Sequence, residues 1–179
     1  LDFTLRLKNP ELHHVSTAYV CGRKNGVSYE DELDTGQIFN NPYEESKCEA
    51  EKLIWLYRQK HSFHAAIYRP SIIVGDSAAG RTSNFTGAYS FIKAIVFLTE
   101  LFTRDLGRDG GRAQTAGVSF KENRLNIPLR ISAISRKTLN IVPVDYVVSA
   151  MISAFEQPGP DGKTYHLVNP SPPTLEKLN

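Results

Sequence analysis

The stretch NNPYEESKCEAEKL, running from Asn40 to Leu53, sets Tyr43 four residues ahead of Lys47 at the start of a helical pattern. A free phenol titrates near 10, too high to release its proton readily at neutral pH. A cation held close favours the phenolate. Positions i and i+4 of a helix lie roughly 5–6 Å apart at Cβ, so Lys47 reaches the region around Tyr43, and the two make a workable general acid/base unit. The pair alone is a weak signal, because both residue types are common on helix surfaces. Ser16 and Thr17 strengthen it. They lie at the carboxyl end of a predicted strand, where open α/β sheets place their ligands. A hydroxyl there can hold a carbonyl oxygen and share its developing charge with a proton donor.

The elements that must position these groups can be read from the pattern. Leu1, Phe3 and Leu5 share a helical face that Asn9-Pro10 stops. Leu12 to Gly22, rich in β-branched and aromatic residues, predicts a buried strand ending in a polar loop. Asn40 or Asn41 caps the next helix with Pro42 at its first position; that helix runs to about His61, with Ala50, Leu53, Ile54 and Tyr57 facing the core. Phe63 to Gly75 predicts a second apolar strand. Asn84 caps a helix through Phe102, a candidate wall for an apolar ligand and equally well plain core. The polar stretch from Thr103 to Gly117 reads as mobile. LRISAI (129–134) and LNIVPV (139–144) predict short strands. A helix from Val144 follows, with Asp145 suited to its dipole, and KTYHLVN (163–169) predicts a last strand. Strands alternating with helices imply a mostly parallel α/β sheet.

Composition is that of a globular chain, with 41% hydrophobic and 22% charged residues. A net charge of +2 with interspersed signs advertises no nucleic-acid footprint. Two cysteines, no recognisable signal peptide and a longest apolar run of AIVFL predict a cytoplasmic protein without a membrane span. His13, His14, His61 and His64 lack an acid or thiol to complete a metal site, so no metal is expected. Cys48 beside Lys47 could have a lowered pKa, but no resolving partner is evident. Glu30, Asp31, Glu32 and Asp34 read as a solvated loop.

Four motifs in order carry a resemblance: STAYVCG (16–22), NPYEESKCEAE (41–51), YRPSIIVG (68–75) and VPVDYV (142–147). Together they are similar to the extended short-chain dehydrogenase/reductases, nearest the branch of thioester reductases and fatty acyl-CoA reductases. The resemblance spans most of Leu12 to Asn169 and implies part of a Rossmann-like doubly wound sheet. It assigns residues 1–83 to the catalytic half, 84–140 to a substrate-binding lobe, 141–169 to a returning helix and strand, and 170–179 to a C-terminal segment. It implies Thr17 as the catalytic hydroxyl, with Ser16 as the fallback, Tyr43 as proton donor, and Lys47 as cofactor-ribose ligand and tuner of Tyr43. Pro70, Ser71, Ile72 and Ile73 would border the nicotinamide, and Asp145 would be structural. The implied cofactor is NADP, with NAD as the alternative. The implied substrate is an acyl thioester of coenzyme A or of an acyl carrier protein, reduced to aldehyde or alcohol. The alternatives are an NAD-dependent sugar-nucleotide epimerase or dehydratase and a non-catalytic interaction module.

No Gly-x-Gly-x-x-Gly turn accompanies these motifs, and GRDGGR follows no strand. The resemblance therefore implies a chain holding only the catalytic and substrate part of such an enzyme, a fragment inactive by itself. The Leu12 to Val20 strand is expected to expose an edge that invites association with a second copy.

Overall fold

The computed structural model describes residues 1–83, 85, 87–107, 111–122, 124–128, 138–157, 159 and 161–174. They fall into two compact units, Leu1–Arg81 with Leu139–Pro173, and Thr82–Thr138 with Thr174–Asn179.

The first unit is built on parallel strands. β1 (Glu11–Val15), β2 (His64–Pro70) and β7 (Lys163–Leu167) form a sheet in the order β1-β2-β7, with Val15 opposite Tyr68 and Pro70 opposite Leu167. β3 (Ile72–Val74) pairs with β6 (Ile141–Pro143) in a second parallel ladder. Helix α2 (Pro42–Lys60) lies between β1 and β2 in sequence, and α5 (Val144–Glu156) follows β6. The central strand β2 is buried from Ala65 to Pro70, as a strand covered on both faces requires. Alternate residues divide between two cores. Ala65 packs with Ile54 of α2 and Phe63, while Ala66 and Tyr68 pack with Val147 and Ala154 of α5.

Local chemistry sets the limits of α2. Asn41 is extended, its side-chain oxygen accepts the Glu44 N–H at 3.0 Å, and Pro42 takes the first position. Glu44 and Glu45 in the first turn and Arg58 and Lys60 in the last complement the helix dipole.

Several expectations need correction. Of the first apolar run only Glu11–Val15 is strand. The Ser16 N–H makes a ladder bond to Tyr68 O at 2.7 Å, and the Thr17 hydroxyl then caps a 3₁₀ turn over Ala18–Cys21. A hydroxyl that bonds its own nearby backbone ends a strand in this way. The Phe63 to Gly75 run is two strands. The Ser71 N–H bonds Leu167 O at 3.1 Å, and the Ile72 N–H bonds Asn140 O at 3.3 Å, so the chain changes partners between them. On α2 the buried residues are Glu44, Cys48, Glu51 and Ile54, whereas Leu53 is 48% exposed. The inward stripe carries carboxylates because each finds a partner there. The N-terminal helix α1 is only Asp2–Leu5.

Three acids of the 23–39 loop, expected to be solvated, have partners. Glu32 pairs with Lys24, Asp34 with Lys52, and the Glu30 carboxylate accepts the His166 N–H. These contacts hold the Glu32 and Asp34 carboxyls below their usual range, the lysine hydrogen bond being the main cause in each case.

In the second unit, α3 (Ala88–Leu106) is followed by the short helix α4 (Arg112–Thr115) and an antiparallel hairpin of β4 (Ser119–Lys121) and β5 (Arg124–Asn126). The stretch expected to be mobile thus supplies the end of α3 and all of α4. The Asn84 cap and the LRISAI strand fall outside the described residues. Among the described residues β1 has no partner on its outer edge, and no helix is long and apolar enough to cross a membrane.

At the amino end of β2, Asp161 receives Arg58 at 3.0 and 2.7 Å, the Ala65 N–H at 2.9 Å and His64 Nδ1 at 3.1 Å. Arg58 above all holds the Asp161 carboxyl far below the usual range. A depressed folded-state pKa adds stability that is present above the unfolded value and lost as pH falls below it. Asp161→Asn should therefore cost about 1–3 kcal/mol at neutral pH. In thermal melts its deficit against wild type should close as the buffer is acidified below about pH 4.

Candidate functional site

The carboxyl ends of β1 and β2 bring together most of the residues expected to do chemistry. Thr17 follows Ser16 directly beyond β1, and both are buried. The Thr17 hydroxyl lies 3.5 Å from Pro70 O and accepts the Tyr19 N–H at 3.3 Å. Lys47, on the second turn of α2, donates to Val15 O at 3.0 Å, two residues before Thr17. A lysine ammonium has three donors, and this bond anchors it at the end of β1. Tyr43 is on the first turn of the same helix, 55% exposed, with the Lys47 ammonium 5.9 Å from its ring centroid. Thr17, Lys47 and Pro70 are thus clustered, with the Tyr43 ring at the margin. Among the described residues no hydrogen bond joins Thr17 to Tyr43.

Ser71 is buried between Pro70 and the half-buried Ile72, and Ile73 is 41% exposed. The Ser16 and Ser71 hydroxyls are buried with no hydrogen-bond partner among the described residues. Such groups are costly to leave unpaired. Asp145, at the start of α5, accepts the Ser77 N–H at 2.8 Å and the Ser77 hydroxyl at 2.6 Å. The hydroxyl, then the N–H, holds its carboxyl below the usual range.

Behind this cluster is a buried ion pair that neither spacing nor motif had singled out. Arg69 and Glu51 are 1% and 0% exposed. The guanidinium grips the carboxylate through Nε at 3.0 Å and Nη2 at 2.7 Å. Its Nη1 donates to Glu32 O at 2.9 Å and Glu30 O at 3.4 Å, and lies 3.3 Å from His166 Nε2. Burial, then the Arg69 charge, lowers the His166 pKa. Burial and the Lys47 ammonium lower that of His14, against Glu51. The signal for Glu51 was present in the sequence: it stands one helical turn after Lys47.

Other candidates are engaged elsewhere. His13 stacks on Tyr68, His61 on Tyr57, and His64 sits on Asp161. No group of three or more metal-binding side chains forms among the described residues. Burial raises the Cys48 thiol pKa rather than lowering it.

Parallel strands in this order, with crossover helices and polar groups gathered at the carboxyl ends of the strands, define a partial Rossmann-like fold of the extended short-chain dehydrogenase/reductase type. The chain belongs to the NAD-binding family described as male sterility protein, whose model matches residues 1–151. Among solved structures it is similar to the terminal R domain of the myxalamid PKS-NRPS biosynthetic pathway, with 25% identity and a TM-score of 0.69. It is also similar to a UDP-glucuronic acid 4-epimerase from Bacillus cereus, solved with UDP-glucuronic acid and NAD, with 19% identity and a TM-score of 0.64. A thiolation-reductase di-domain from an archaeal non-ribosomal peptide synthetase matches with 16% identity and a TM-score of 0.63. The alignments cover 97%, 97% and 93% of this chain but only 36%, 44% and 31% of those proteins. No curated protein matches the sequence.

Because Asn41 fixes the turn that carries Tyr43, Asn41→Ala should cost about 1 kcal/mol of stability. In hydrogen exchange it should accelerate the Glu44 amide while leaving the Ile54 region protected.

Proposed function

We propose that the full-length protein reduces an acyl thioester, of coenzyme A or of a carrier's phosphopantetheine, with a reduced nicotinamide, NADPH in the first instance and NADH as the alternative. The observation that carries this reading is the Lys47 ammonium docked on Val15 O. It sets the Tyr43–Lys47 turn over the strand end that presents Thr17. The identity to the myxalamid R domain and the family match support the same reading; the epimerase likeness, at 19% identity, speaks for the fold.

The residues fit the nicotinamide and ribose end of the cofactor. Ser16 and Ser71 hold buried hydroxyls without partners among the described residues; Lys47, docked on Val15 O, would hold the ribose, and Pro70 to Ile73 would border the ring. They do not fit a pyrophosphate, for which the chain has no glycine-rich turn. The 179-residue chain assayed by itself is therefore expected to hold nicotinamide weakly and to be inactive.

When bound, the nicotinamide supplies the hydride for the carbonyl carbon. The Thr17 and Tyr43 hydroxyls hold the carbonyl oxygen, and the Tyr43 proton passes to it as negative charge develops. The resulting hemithioacetal loses its hydroxyl proton as its C–S bond breaks, leaving aldehyde and a thiol. A second hydride would give the alcohol. Within the second unit, taken by itself, an apolar groove of about 360 Å³ runs along α3, lined by Phe85, Tyr89, Ile92, Val96 and Phe97 among others. The proposed partner of the full-length protein is an acyl carrier protein, and that of the 179-residue chain is a second copy at the outer edge of β1.

With an acyl-coenzyme A and NADPH, Tyr43→Phe in the full-length protein should lower kcat by about 10²–10⁴-fold and Thr17→Val by about 10–10³-fold. Wild-type rates in both variants, followed as NADPH oxidation, would sink the assignment.

A further inference from the structure

We infer that the buried Glu51–Arg69 pair is a positioning device, which fixes the rotation and axial placement of α2 and thereby aims Tyr43 at the end of β1, where Lys47 has its own anchor on Val15 O. The inference rests on the functional reading above and names the residues that make its geometry unique.

Tyr43, Lys47 and Glu51 follow one another at intervals of four on α2, so they form one stripe down the helix. Lys47 docks on β1 through Val15 O, and Glu51 docks on β2 through Arg69. Adjacent strands lie about 4.8 Å apart, so the helix is attached at two points on two strands. Two such points fix both its slide and its turn. The apolar contacts beneath it, Ile54 with Ala65 and Phe63, are non-directional. A two-pronged guanidinium–carboxylate contact is planar and directional and sets distance and angle together. From Glu51 to Tyr43 is about 12 Å along the axis, so a small rotation at the pair is carried to the phenol.

Arg69 is itself immobilised by the Glu30 and Glu32 carbonyls and His166, and the next residue, Pro70, presents the carbonyl near Thr17. One guanidinium thus references the strand bearing Pro70, the helix bearing Tyr43 and Lys47, and the loop between β1 and α2. Burying two charges is a poor way to gain stability, since apolar residues of similar volume serve as well or better. Geometric definition is what the pair adds.

The test uses the full-length protein with an acyl-coenzyme A and NADPH. Two replacements are made, Glu51→Gln, and Glu51→Met combined with Arg69→Met, each in the wild-type and the Tyr43→Phe background. In the wild-type background kcat should fall about 10–100-fold while KM for both substrates stays within about two-fold. In the Tyr43→Phe background the same changes should lower the residual rate by less than about two-fold, because the aim they spoil is already lost. An equal loss in both backgrounds would overturn the inference, as would a rise in KM with kcat held, or wild-type kinetics throughout. So would failure of both replacements to fold, which would make the pair's role that of a fold determinant. If Tyr43→Phe itself leaves kcat unchanged, the functional reading fails and this inference with it. If Tyr43→Phe is impaired and the Glu51 variants are not, only the positioning inference fails.

Discussion

The arrangement of the first unit depends on one constraint: a guanidinium taken fully out of water must have every donor answered. Arg69 stands on the most buried strand of the sheet, where a charge without partners would be untenable. Its donors are met by a carboxylate from α2, two carbonyls of the 23–39 loop and an imidazole of β7. Each partner belongs to a different segment, so satisfying one side chain draws helix, loop and strand together at the carboxyl end of the sheet. The polar character of the inward stripe of α2 follows from this. Glu51 occupies a place that periodicity would give to an apolar residue, and Leu53 is turned outward.

The same constraint separates scaffold from site. Toward the amino end of β2 the contacts are apolar on both faces, and Asp161 closes the end with Arg58 and the Ala65 amide. Toward the carboxyl end the ladder gives way to hydroxyls and carbonyls: Thr17 near Pro70 O, Lys47 on Val15 O, and Ser16 and Ser71 without a hydrogen-bond partner among the described residues.

Much of this was legible in the sequence. Asn41-Pro42 announced the start of α2 by capping chemistry that acts over three residues. The alternation of strand and helix announced a parallel sheet, and the order of four motifs announced the family. What was hidden depends on contacts distant in sequence. The end of β1 at Val15 is decided by the Thr17 side chain turning back on Tyr19, which residue types favouring strand conceal. The division of the second apolar run at Ser71 is decided by Leu167 and Asn140, which no local pattern reveals. Glu51 and Arg69 were both in view, one in the helix and one in the YRPSIIVG motif. Their partnership across eighteen residues needed the sheet to bring them together. Of the site, the expected residues fall near one another, while the exposed Tyr43 ring shows that proximity in a motif is not yet contact.

Hydride transfer to a thioester carbonyl, as proposed for the full-length protein, would leave an isotopic trace. The full-length protein is given an acyl-coenzyme A and NADPH deuterated at the transferred C4 position, and the released aldehyde or alcohol is analysed by mass spectrometry. Deuterium should appear on the former carbonyl carbon, with stoichiometric release of coenzyme A thiol. Unlabelled product, or epimerisation of a nucleotide sugar with no net consumption of NADPH, would contradict it.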